Sequence, residues 1–304
     1  MFARSFALVS ALLAAATGAR PQTVFPDHCP SGSTLPFANI QVSQSIDQSC
    51  PALTGDPEAA ARSQTQDQAK NNFCADAAHP VTYTPQMFVD LQAKAVTNGI
   101  PSGQGQEPAT RDGPRALGEG TVVRLKAYLI EAHYADLGDG ESVNCYKPST
   151  AENDIHVALG VAPDTKECAS ISAEISPHYR PAAWSDIGLF ETLTGKKYVV
   201  DPQRSSRLQQ HPYRVTGQLF YDASHKPCPC GASNCDGDPS RASNWEIHPV
   251  YKIEVCKAGA SCDEGDDSAW MPFDVWWSSL APIQKVAKPH THESNEGKKT
   301  KPKP

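Results

Sequence analysis

Glu246 and His248 lie two residues apart in the run 244–256, NWEIHPVYKIEVC, which reads as a β-strand. Side chains at i and i+2 share one face of a strand. The two therefore project together, and Ile247 projects the other way. The same spacing recurs at Asp154 and His156 in NDIHVALG, residues 153–160. Glu174 lies opposite Ile171, Ala173 and Ile175 on a further short strand pattern. Imidazole nitrogen and carboxylate oxygen together are a donor set for a divalent ion, zinc or manganese first, with iron also suited. A carboxylate-dominated subset would suit magnesium or calcium. Such an ion lowers the pKa of a bound water and polarises a phosphoryl or carbonyl oxygen.

Two function classes follow. In the first, Asp154, His156, Glu246 and His248 hold the metal of a hydrolase acting on a phosphodiester-type substrate, with Glu174 or Glu246 as general base. In the second, the chain is a non-catalytic OB-type binding module for a carbohydrate, peptide or cell-surface ligand. The acid–His pairs then serve only as cross-strand contacts, because polar residues belong on the outer face of a half-buried strand whatever they do. Asp222, His178 and His225 fall at or just past strand ends. The sequence carries no HExxH, nucleophile elbow, P-loop or dinucleotide fingerprint.

The elements that must position these residues can be read from periodicity. From Gly120 the pattern becomes period two. Val123, Leu125, Ala127 and Leu129 alternate with Arg124, Lys126, Tyr128 and Ile130. Ile155 to Val161, Ile171 to Ile175, Val215 to Tyr221 and Val250 to Cys256 continue it. A short helix is expected over 181–193, between the third and fourth strands. Three strands, a helix and two strands is the element order of a five-stranded OB-like barrel, with a β-sandwich as the alternative. Closing five strands also removes exposed edges. Adjacent Trp276 and Trp277 are expected to cover one barrel end. Arg204, Arg207, Arg214 and Arg241 flank the last two strands and would either meet an anionic substrate or offset acidic residues.

The barrel is preceded by a polar lead-in, residues 20–117, with helices expected at 57–73 and from 84 to about 98. The first has Pro57 at its start and a weak apolar face. The second has a stripe of Met87, Phe88, Leu91, Ala95 and Val96. Residues 118–284 form the β domain. The Lys-, Pro- and His-bearing stretch 285–304 has no apolar pattern and reads as a disordered basic tail.

Several blocks look like those of an uncharacterised family of exported bacterial proteins. They are ESVNC at 141–145, NDIHVAL at 153–159, EISPH at 174–178, VTGQLFYDASH at 215–225 and WEIHPV at 245–250. The resemblance spans roughly Gly118 to Cys256. It implies a secreted bacterial protein and brings no activity with it.

Residues 1–19 read as a secretory signal peptide: a short n-region with Arg4, an apolar run from Phe6 to Ala16, then Thr17-Gly18-Ala19. No later apolar run is long enough to span a bilayer, so no membrane partner is expected. The expected location is secreted or periplasmic. All ten cysteines follow the leader, and an even count in an exported chain argues for disulfides. The cluster of Cys228, Cys230 and Cys235 reads as a stapled loop, with a metal knot as the other reading. The chain has 27 basic and 34 acidic residues. With Arg4 in the leader and six Lys and two Glu in the tail set aside, residues 20–284 hold 20 basic and 32 acidic, a net −12. Such a body repels polyanions. A small or polymeric extracellular ligand therefore fits better than nucleic acid, except as a metal-assisted substrate. Thiol titration of the denatured, unreduced mature protein, starting near Arg20, is expected to detect no free thiol; several would reject the disulfide framework.

Overall fold

The computed structural model describes residues 57–72, 79–103, 105–135, 150–151, 153–177, 180–189, 207–233, 235 and 239–280. Its elements run α1 (Pro57–Lys70), β1 (Val81–Tyr83), α2 (Pro85–Thr97), α3 (Asp112–Ala116), β2 (Val122–Tyr134), β3 (Ile155–Gly160), β4 (Ile171–Ile175), β5 (Pro212–Tyr221), β6 (Trp245–Cys256), β7 (Trp270–Pro272) and α4 (Phe273–Ser279). The strand order β2-β3-β4-β6-β5 closes on itself because β5 also pairs with β2. The barrel is OB-like, with one parallel pairing, β4 with β6, through Ala173 and Ile247. β1 adds to β2 and β7 to β6 outside the closed ring.

Period-two alternation builds the barrel interior. Val123, Leu125, Ala127 and Leu129 point inward with Ile155, Val157, Leu159, Ile171, Ala173, Ile175, Val215, Leu219, Ile247 and Val255, all in one buried cluster. The register of β2 against β3 shifts between Leu129 and Glu131. An extra residue at such a bulge changes which parity faces the core. Ala132 and Tyr134 then turn inward, and Glu131 and His133 turn outward beside His156. The expected first strand stopped at Ile130, before this shift.

The two lead-in helices lie outside the barrel wall and pack on it. On α2, Phe88, Leu91 and Ala95 join the core cluster. Met87 and Val96 were expected in that stripe but are exposed at 36% and 68%. They sit one residue off the buried row at either end, and each step turns the helix by about 100°. On α1 the described buried side chains are Ala69 and the polar Gln66 and Lys70, followed by Asn71 and Asn72. The expected helix between the third and fourth barrel strands is a 3₁₀ segment, Ala182–Leu189. With three residues per turn, Trp184 and Ile187 share its core-facing side. The stretch 190–193 lies outside the described residues.

Three disulfides staple the described residues: Cys168–Cys230, Cys228–Cys235 and Cys256–Cys262. The 228–235 cluster is thus a stapled loop. Cys29, Cys50, Cys74 and Cys145 lie outside the described residues. On α4, Phe273 and Trp276 pack into the core and Trp277 lies against it. No helix among the described residues is long and apolar enough to cross a membrane.

One glycine is required by close approach. A Cβ on Gly217 would collide with the Pro249 carbonyl and the Ile247 side chain, where the β5–β6 register slips. Gly217→Ala is expected to destabilise the fold by about 1–3 kcal/mol through overpacking. A denaturant midpoint unchanged from wild type would contradict that.

A buried acid–histidine cluster under helix α1

The outer faces of β3, β4 and β6 carry the candidate residues, and strand order makes them neighbours. His133 on β2 is paired in register with His156 on β3, and His156 with Glu174 on β4. The parallel β4–β6 pairing then sets Glu246 and His248 beside Glu174. His156 Nε2 lies 3.5 Å from Glu174 Oε1 on one side. His248 Nδ1 lies 2.8 Å from Glu174 Oε2 on the other. His248 Nε2 is 3.6 Å from Asp154 Oδ2, and its Nδ1 is 3.6 Å from Glu246 Oε1.

Asp154, Glu174 and His248 each bring a ligand atom within 4.8 Å of the other two. This group could hold a metal ion. Of the four metal ligands expected from sequence, Asp154 and His248 belong to it. Glu246 stands beside His248, and its other oxygen is taken by Arg241. His156 lies against the other oxygen of Glu174. Glu174, expected as a general base, is the group's central member.

The setting is buried. Asp154, Glu246 and His248 are 0% exposed, and Glu174 is 3% exposed. The cover is α1. Gln66 Nε2 donates to Asp222 Oδ1, and the Ala223 N–H donates to Gln66 Oε1. Gln218 Nε2 donates to the Ala69 carbonyl, and Asn72 Nδ2 donates to Gln218 Oε1. These bonds place the Lys70 ammonium 3.2 Å from Glu174 Oε2. Arg241 is a second cation at the cluster, 2.7 Å from both Asp222 and Glu246.

The charge states follow from this packing. Burial opposes charge on Glu174, but Lys70, His156 and His248 outweigh it and hold the carboxyl well below its usual range. Burial and the neighbouring Glu174 charge push Glu246 up, only partly countered by His248 and Arg241. Burial opposes the His248 imidazolium, yet Glu174, with a contact to Glu246, raises it to about 9. Burial likewise opposes the Asp222 carboxylate, and Arg241 overrides it and lowers its pKa.

Sequence reasoning missed Lys70. Its signal is a lysine on a helix with no apolar stripe, which looks like any solvated surface. Arg241 and Arg214 were singled out with two readings open, and both are internal partners. Arg214 is 2.7 Å from Glu254 and 2.7 Å from Asp267. Asp222 is buried in the cluster. His225 contributes its carbonyl to Asn244 Nδ2. His178 and Arg204 lie outside the described residues.

Two hollows open nearby. One of about 70 Å³ sits over Glu131, His133, His156, Ser172 and Arg241. A larger one of about 590 Å³ lies between the start of α2 and the Cys168–Cys230 staple, lined by Val89, Val161 and Ile171. No family model, curated protein or solved structure matches the chain.

The raised His248 pKa has a consequence for stability. A group charged more readily in the fold than in the unfolded chain stabilises the fold below its unfolded pKa, near 6.5, and loses that contribution as pH rises through about 9. The contribution is on the order of 3 kcal/mol. Glu174, depressed, gives the opposite slope and loses its contribution in acid. Chelator-treated wild type is therefore expected to melt at falling temperatures between pH 6.5 and 9. His248→Gln should flatten that limb, and an equally steep limb in the variant would remove His248 as its source.

Proposed function

We propose that this chain is an exported OB-like binding module carrying a divalent ion, zinc or manganese, on Asp154, Glu174 and His248. One observation carries the reading: three ligand atoms of mixed oxygen and nitrogen type converge within 4.8 Å at a buried place. The donor set suits such an ion. The ion would supply the positive charge that the His248 proton supplies otherwise. Export is supported by the leader-like residues 1–19, by the likeness to exported bacterial proteins, and by three disulfides, which persist in oxidising compartments. The 590 Å³ hollow, of a size and apolar lining that suit a ligand, supports a small or polymeric extracellular partner.

Burial weighs against the hydrolase reading. A phosphodiester has to reach the ion, and Asp154, Glu246 and His248 expose no surface. The approach from the side of His156, which is 35% exposed, ends in a hollow of about 70 Å³. That admits a few water molecules and nothing larger. Glu246 as general base gains no support, since Arg241 holds one of its oxygens at 2.7 Å. The acidic body likewise leaves nucleic acid an unfavoured partner.

Elemental analysis of protein purified without chelator is expected to find about one zinc or manganese ion per chain. His248→Ala should lose it. Protein that stays metal-free after dialysis against micromolar zinc and manganese sinks the ion.

A further inference from the structure

The C-terminal end of α1 delivers one cation to the same carboxylate that a metal would use. Glu174 Oε2 is 3.2 Å from Lys70 Nζ and 2.8 Å from His248 Nδ1. Lys70 is not a loosely held surface lysine. Its side chain is 11% exposed. The residues around it are pinned by Gln66 to Asp222 and Ala223, by Gln218 to Ala69 and Asn72, and by the Tyr251 hydroxyl donating to the Asn72 carbonyl. A cation of fixed position thus stands at the mouth of a cation site.

The site has a second mark besides its carboxylates. Neither ring nitrogen of fully buried His248 makes an aligned hydrogen bond among the described residues. Its Nδ1 lies 2.8 Å from Glu174 Oε2 in an ion-pair contact. Glu246 Oε1 is also without a hydrogen bond there. Buried polar atoms normally have partners, and a cation that takes the place of one ring proton would give such a nitrogen its partner.

We propose that Lys70 is a tethered competitor for the Asp154–Glu174–His248 cation site: a divalent ion enters only by displacing the Lys70 ammonium, and its entry loosens the end of α1. This rests on the cation reading above. An ion bonded to Glu174 at about 2 Å stands in the space where the ammonium now neutralises that carboxylate. Two positive charges cannot share it in a buried setting without strong repulsion. The charged groups around the site include Asp154, Glu174, Glu246 and His248, with His156 behind Glu174, Lys70 from α1, Arg180 on the side of Asp154, and Arg241, which is occupied by Asp222 and Glu246. Lys70 contacts Glu174, a member of the ligand triad, at salt-bridge distance, whereas Arg241 is held by Asp222 and Glu246. Coupling between ion and helix is reciprocal. Whatever holds α1 down weakens ion binding, and the ion weakens the hold on α1.

Zinc titration by calorimetry of the chelator-stripped full chain, wild type against Lys70→Met, tests this. The variant keeps the apolar stem and removes the charge. It is expected to bind zinc at least tenfold tighter than wild type, and to melt lower when metal-free because the carboxylates lose their cation. Hydrogen exchange on wild type gives a reading independent of any variant: zinc should speed exchange of the amides at residues 66–72. Equal zinc affinity in both proteins with unchanged exchange overturns the competitor and leaves the cation site standing. Weaker binding by Lys70→Met also overturns it, since Lys70 would then support the site. If Lys70→Met does not fold, Lys70→Gln and the exchange measurement decide. No stoichiometric binding by either protein rejects the cation reading, and the competitor with it.

Discussion

The Glu174 carboxylate is the hinge of this structure. It sits on the outer face of the barrel, almost fully buried, with His156 on one oxygen and both Lys70 and His248 on the other. Isolated there, a carboxylate would be protonated rather than endure burial as an anion. The surrounding cations reverse that and hold it charged. Everything else at the site follows from keeping it charged. His248 must carry a proton or an ion. Glu246, next to a fixed negative charge, is pushed up. Arg241 is needed to offset Asp222 and Glu246 a few ångströms away.

Helix α1 is the second consequence. An amphipathic helix is usually held by an apolar stripe. This one is held by Gln66, Lys70 and the Asn72 segment, through bonds to Asp222, Ala223, Gln218, Tyr251 and Glu174. Such contacts give geometric selectivity more than net stability, because desolvating ions offsets much of the attraction between them. They also make the cover responsive to charge in a way that an apolar contact is not. A change of one charge beneath α1 alters what the helix rests on. In α2, by contrast, Phe88, Leu91 and Ala95 are anchored in the core, where charge has little leverage.

Barrel closure ties these two features together. Strands 155–160 and 245–256 are not neighbours, so Asp154 and His248 meet only because β4 is inserted between them and pairs with β6 in parallel. The inserted strand brings Glu174 into the row between His156 and His248. An OB-like order therefore supplies the site with its central ligand and keeps the two acid–His pairs on either side of it. The same order faces the cluster outward, away from the apolar interior. It needs a cover from elsewhere in the chain, and the lead-in provides one.

Parity along each strand is a local property, and it was legible in the sequence. Apolar residues at every second position placed Asp154, His156, Glu174, Glu246 and His248 on outer faces, and five such runs with a helical break predicted the OB-like order. The cysteine cluster at 228–235, in a chain read as exported, likewise favoured a staple. Partner identity is not local. Lys70 lies 104 residues from Glu174, and no pattern around it distinguishes a buried ammonium from a solvated one. The β2 bulge that turns Glu131 and His133 outward depends on its register against β3. The edge strands β1 and β7, three residues each, are too short to show a period. Burial of the site, and so its closure to anything larger than water or an ion, was decided by tertiary packing alone. Polar residues at a helix surface and polar residues beneath a helix look the same until the chain has folded one onto the other.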